Sequence, residues 1–129
     1  MTALSLLLII KIVVTLLTVA LPFLLLKKQW LDRIAGFGHV DVALYRLYGV
    51  ALLALLVAYT SGIWLIEHQG SFPWGVVAMG LVSNTGAFLT LCLTGRLRTS
   101  PALTIFFGLI ALGLGASAIQ PGSALTAVW

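Results

Sequence analysis

Apolar residues fill this chain in four long unbroken runs, at about residues 3–26, 42–66, 74–95 and 101–119. Each run approaches the roughly 20 mostly apolar residues that an α-helix needs to cross about 30 Å of hydrocarbon. Half-buried strands would alternate apolar and polar positions, and an open sheet edge cannot face lipid. The pattern predicts an all-α integral membrane four-helix bundle, with residues 1–129 forming a single transmembrane domain. The second and third connections are short, so consecutive helices are expected as antiparallel neighbours. No internal repeat is visible.

The first connection is longer and patterned. Trp30, Leu31, Ile34 and Phe37 recur at helical spacing against Lys27, Lys28, Asp32 and Arg33. This predicts a short interfacial helix, ended by Gly36 and Gly38.

Composition narrows the class further. The chain has 129 residues, of which 61% are hydrophobic and 8% charged. Mean hydropathy is +1.17. A soluble domain carries about 25% charged residues, and a disordered chain is poor in hydrophobic residues; both classes are excluded. The net charge of +4 comes from seven Lys and Arg against three Asp and Glu. The basic residues lie between apolar runs, where they set orientation, and no basic face with interleaved aromatics points to nucleic acid.

Lys27, Lys28 and Arg33 occupy the first connection, with Arg46 just beyond, and Arg96 and Arg98 occupy the third. The connection from Glu67 to Pro73 has no Lys or Arg. By the positive-inside rule, the first and third connections are cytoplasmic and both termini lie outside. The first run is read as a retained helix, because its basic residues come after the apolar core instead of preceding it as in a signal peptide. Trp30 and Phe37 fall on the cytoplasmic side, and Trp64, Phe72, Trp74 and Trp129 near the outer boundary, as an aromatic belt requires.

Polar groups inside spans are costly and need an explanation. Lys11 lies two to three turns into the first run. It is expected to snorkel to the outer headgroups, or to pair with Glu67 on that side. A proton or substrate role is the sharper alternative. Glu67 and His68 sit side by side at the outer exit of the second helix. His39 lies in the opposite connection, so the two histidines cannot share a metal within one subunit, and no metal site is expected.

Asp41, Tyr45, Tyr48 and Tyr59 fall on one face of the second helix. Arg46 points about 140° from Asp41 by the helical period. It reads as a boundary anchor or as an anion or headgroup contact. Asn84, near the middle of the third run, is expected to bond another helix or to touch a ligand. Gly108, Ala111 and Gly115 give the fourth run a small-residue face for close packing, inside the bundle or against another subunit. Phe106 and Phe107 precede it and are expected to pack against lipid or a neighbour. Cys92 reads as a small buried hydrophobe. Phosphate-loop, nucleophile-elbow and zinc-protease motifs are absent.

Tyr45-Arg46-Leu47-Tyr48-Gly49, opening a long apolar helix, together with Phe72-Pro73-Trp74 and Asn84-Thr85-Gly86, resembles the small bacterial four-helix membrane proteins called DoxX-like. The likeness covers roughly Asp41 to Gly95. It implies a four-helix bundle in a bacterial cytoplasmic membrane, and a link to respiratory or redox complexes. Arg46, Tyr48 and Gly49 would be the matching positions. Lys11 and the outward termini have no counterpart.

The residues support three functions. The first is a non-catalytic membrane subunit or accessory protein, of a respiratory, redox or photosynthetic complex, packing against partner helices, lipid or a bound pigment or quinone. The second is a small homo-oligomeric transporter with Lys11, Glu67 and Asn84 along its path. The third, ranked last, is a membrane enzyme using Asp41, Tyr45 or His39. No motif indicates a cofactor.

Overall fold

A computed structural model describes residues 1–35 and 40–128 of the chain. Gly36, Phe37, Gly38, His39 and Trp129, to which the sequence assigns roles, lie outside the described residues. The chain is 85% helical, with no strand among the described residues. Four helices are long and apolar enough to cross a membrane: α1 (Ala3–Leu25), α3 (Val42–Gln69), α4 (Trp74–Leu93) and α6 (Pro101–Ile119). Three short helices accompany them: α2 (Lys28–Ala35), α5 (Arg96–Thr99) and α7 (Pro121–Ala124).

The spans match hydropathy closely, and their ends reflect local chemistry. Thr2 caps α1, accepting the Ser5 N–H through Oγ1 at 3.1 Å, which satisfies one of the exposed N–H groups of the first turn. α3 continues to Gln69, three residues beyond the expected limit, and stops at Gly70 with φ +59°. α4 stops two residues early, before Gly95 with φ +75°. Glycine tolerates this left-handed backbone, which ends a helix. Arg96 to Ser100, expected as a plain loop, contains the helical turn α5.

α1 is not a uniform α-helix. Leu16–Ala20 form a π turn, closed by the Leu21 N–H donating to the Leu16 carbonyl. Pro22 comes next within the helix and has no N–H to donate. Such π adjustments and side-chain hydroxyls absorb the backbone mismatch that proline creates in a membrane helix. Thr18 Oγ1 donates to the Val14 carbonyl at 2.7 Å.

Each spanning helix buries one stripe. Along α1 it is Leu4, Leu8, Lys11 and Thr15, then Val19, Ala20 and Phe23 after the π turn. Along α3 it is Tyr45, Leu52, Leu56, Tyr59 and Ile66. In α4 it includes Val77 and Asn84, and in α6 Thr104, Phe107, Ile110 and Leu114. Side chains three and four residues apart share a helix face, so these spacings define continuous ridges. The opposite faces are apolar, as Leu17, Val57, Val82 and Leu112 show. Polar side chains on the buried stripes and apolar ones outside are what lipid requires.

Backbone contacts divide the chain into two units, Met1–Leu8 with Gly62–Trp129, and Ile9–Ser61. In the first, α4 and α6 pack closely. A Cβ on Gly108 would lie 3.0 Å from Phe88 Cδ2, and one on Gly115 would lie 3.8 Å from Leu81 Cδ2. The glycines at both ends of the predicted small-residue face thus admit side chains of α4. Gly113 receives Leu7, and Gly62 of α3 receives Val76, in the same unit. Phe107 is buried, with the Phe106 ring 5.8 Å away.

Candidate functional site

In the Ile9–Ser61 unit, the polar residues gather where α1 ends, α2 lies and α3 begins. The last carbonyls of any helix have no partner within it. Arg46 supplies one here: Nη1 donates to the Phe23 carbonyl and Nη2 to the Leu26 carbonyl, both at 2.7 Å. A planar guanidinium can meet two acceptors at once, and its charge also complements the negative end of the helix dipole. Arg46, read from the sequence as a boundary anchor or as an anion or headgroup contact, meets two carbonyls of the protein itself, because the end of α1 comes within its reach.

Aromatic packing supports the same junction. The Phe23 ring meets Tyr45 edge-on at 5.4 Å and Tyr48 at 5.6 Å. A Cβ on Gly49 would come 2.9 Å from Leu24 Cγ, so only glycine leaves room at this approach. Tyr45 and Tyr59 share the buried stripe, at 2% and 0% exposure, whereas Tyr48 is 47% exposed at its edge. Asp41 does not belong to that stripe. It precedes α3, and its Oδ1 accepts the Ala43 N–H at 2.7 Å. An aspartate just before a helix is held by the free N–H groups of the first turn.

α2 is pinned by Asp32. Its Oδ1 accepts the Tyr45 hydroxyl at 2.9 Å, and its Oδ2 accepts Lys28 Nζ at 2.6 Å one turn back. Leu31 is fully buried, while Trp30 and Ile34 are exposed. The Arg33 guanidinium lies 5.1 Å from the Trp30 ring centroid, within cation–π range. The sequence grouped Leu31 with Trp30 and Ile34 on one apolar side; the structure divides them, because Asp32 and Leu31 turn toward the protein.

Lys11 is 4% exposed. It does not snorkel along the surface of α1, because it falls on the stripe of Leu4, Leu8 and Thr15 that faces protein. Thr15 is 1% exposed, and its hydroxyl has no hydrogen-bond partner among the described residues.

The Met1–Leu8 and Gly62–Trp129 unit holds a second polar group. Ser5 Oγ donates to Glu67 Oε1 at 2.5 Å, and Thr2 Oγ1 lies 3.0 Å from Ser5 Oγ. The Met1 amine is 3.8 Å from Glu67 Oε2. The backbone continues this clasp, since the Val128 N–H donates to the Met1 carbonyl at 3.0 Å and Thr2 pairs with Ala127. His68 stacks on Trp64 at 5.4 Å, with Nδ1 3.2 Å from the Trp64 carbonyl. Asn84 is buried, and its Nδ2 donates to the Gly80 carbonyl at 2.7 Å, one turn back in its own helix.

Sequence reasoning missed Ser5, Thr2, Asp32 and Gly62 as partners. Only Thr2, a hydroxyl residue just before the first apolar run, carries a local sign, that of a helix start. Among the described residues, no group of three or more His, Cys, Asp or Glu is placed to hold a metal ion. Comparison with protein-family models, with curated proteins and with solved structures finds no match for this chain.

Proposed function

We propose that this protein is a non-catalytic membrane component, a small subunit or accessory protein packed against partner helices and lipid. The observation that carries this reading is the pair of bonds from Arg46 to the Phe23 and Leu26 carbonyls. The most conspicuous charge at the mouth of α3 serves the fold. Asp32, Asp41 and Glu67, the only acids in the chain, are likewise engaged by Tyr45 and Lys28, by a backbone N–H, and by Ser5. A catalyst would keep such groups for substrate.

In this reading the four helices form one bundle in a bacterial cytoplasmic membrane, with both termini outside, and the protein is DoxX-like. Arg46, Tyr48 and Gly49, the positions that would match, all pack at the end of α1, which suits that kinship. α2 lies in the cytoplasmic headgroup layer. Its exposed Trp30 and Ile34, with Lys27 and Arg33 nearby, suit an anionic membrane surface.

The test is the mass of the intact particle, extracted from its native membrane in mild detergent. A large particle with other polypeptides is expected. A small homo-oligomer with nothing bound would overturn the accessory reading and favour a transporter, for which the burial of Lys11 within a span is the supporting observation. A C-terminal reporter active only in the cytoplasm would overturn the orientation.

A further inference from the structure

α2 has two unlike faces. Its residues turn by about 100° each, which puts Leu31, Lys28 and Asp32 on one side and Lys27, Ile34, Trp30 and Arg33, in that order, around the other. Lys27 stands just before the helix and shares its register, because its carbonyl accepts the Trp30 and Leu31 N–H groups at 3.0 and 3.1 Å. The first side belongs to the protein: Leu31 is fully buried, Asp32 Oδ1 accepts the Tyr45 hydroxyl, and Asp32 Oδ2 accepts Lys28 Nζ. The second side is open, with Lys27, Trp30, Arg33 and Ile34 all exposed.

The open side has a charge pattern of its own. Trp30 and Ile34 lie in its middle, with one cation at each flank. Asp32, the only acid of α2, is on the other side and engaged there. Among the described residues, neither Lys27 nor Arg33 forms an ion pair. The surroundings are apolar, since Leu25 at the end of α1 and Leu44 and Leu47 at the start of α3 are also exposed. α1 ends at Leu25 and α3 begins at Val42, so α2 stands at the level where two spans leave the hydrocarbon. Tryptophan favours that level, and lysine and arginine reach from it to lipid phosphates.

We propose that Lys27, Trp30, Arg33 and Ile34 form a binding surface for the headgroups of anionic phospholipids, and that lipid charge steadies the junction of α1 with α3 through it. The two cations meet lipid phosphates, while Trp30 and Ile34 enter the acyl boundary between them. A soluble anion would satisfy the cations and leave the ring and Ile34 in water, so the pattern selects a lipid. The other face carries the effect inward. Asp32 holds Tyr45, Tyr45 packs on Phe23, and Arg46 caps the Phe23 carbonyl. This inference deepens the membrane reading above and rests on it, but not on the identity of any partner protein.

Amide hydrogen exchange would be followed by mass spectrometry in nanodiscs of phosphatidylcholine alone and of phosphatidylcholine mixed with phosphatidylglycerol. Protection of the four spans in both discs checks the membrane reading separately. Each cation near an anionic surface contributes about fivefold, so the anionic lipid should slow exchange in α2 on the order of tenfold. The first turns of α3 should slow with it. Lys27→Gln with Arg33→Gln should abolish both responses, whereas Lys27→Arg with Arg33→Lys, which keeps the charges, should retain them. Tyr45→Phe, which removes only the hydroxyl, should keep the response of α2 and lose that of α3. Inserted protein with protected spans whose α2 exchanges equally in the two discs would overturn the proposal. So would a response that survives Lys27→Gln with Arg33→Gln, one that stops at α2 in the unaltered protein, or one that inorganic phosphate reproduces in phosphatidylcholine discs.

Discussion

Arg46 Nη1 donates to the main-chain oxygen of Phe23, 23 residues earlier in the chain, at 2.7 Å. The same guanidinium reaches the Leu26 carbonyl. One side chain of α3 thereby closes the end of α1, where lipid could offer no donor to the free carbonyls.

Arg46→Met should therefore be among the most damaging single changes in the Ile9–Ser61 unit. Each charge-assisted bond contributes about 1.5–3 kcal/mol, so a loss of about 3 kcal/mol or more is expected in denaturant unfolding from micelles. Arg46→Lys should recover only a minor part, because an ammonium cannot span two carbonyls as a fork does. Full recovery by lysine would show that charge alone matters.

The glycines divide into crowded and open positions. A Cβ on Gly62 would lie 2.9 Å from Val76 Cγ1, on a β-branched side chain that cannot swing away. Gly62→Ala should destabilise the protein by about 1–3 kcal/mol, the usual cost of overpacking. Nothing lies within 4 Å of a Cβ on Gly86, in the interior of α4. Gly86→Ala should be neutral or stabilise by up to about 1 kcal/mol through helix propensity. Thermal melts should fall for Gly62→Ala and hold or rise for Gly86→Ala, and a fall for both would refute this account of α4.

Ser5 and Glu67 act as one unit. Ser5→Ala and Glu67→Gln should each loosen the clasp that joins the start of α1 to the end of α3. The double variant should be no worse than the more damaging single one, because the shared bond is lost only once. Strictly additive losses in a double-mutant cycle would show that the contact contributes nothing.

The π turn makes an unusual prediction about deletion. The buried stripe of α1 runs Leu4, Leu8, Lys11, Thr15 and then Val19 and Phe23. The extra residue in the wide turn delays the stripe by one position. Deleting Leu17 should relax the turn to ordinary α-helix and keep Phe23 beneath Tyr45 and Arg46. Deleting Val13 should rotate the start of α1 by about 100° relative to the remainder of the helix, carrying Leu4, Leu8 and Lys11 off the buried face. Folding yield and resistance to proteolysis should be retained in the first variant and lost in the second. The reverse ranking would remove the register role of the π turn.

The four spans were legible in the sequence because hydropathy adds up locally, residue by residue, and lipid demands it over a known length. Helix ends were less legible: Asp41, read as part of a face of α3, lies before that helix, and the roles of Thr2, Gly70 and Gly95 at helix ends came only with the structure. The contacts of Arg46 were not legible. Its acceptors are main-chain carbonyls, which every residue carries, so nothing in the residue types at Phe23 and Leu26 announces them. Lys11 shows the same limit. Its position two to three turns into a span fits snorkelling as well as burial, and only the packing of the Leu4, Leu8 and Thr15 stripe turns it inward. Composition thus determined the solvent and the secondary structure of this protein. Tertiary structure alone decided which polar atoms meet, because that depends on helix rotation and register, and one π turn is enough to change both.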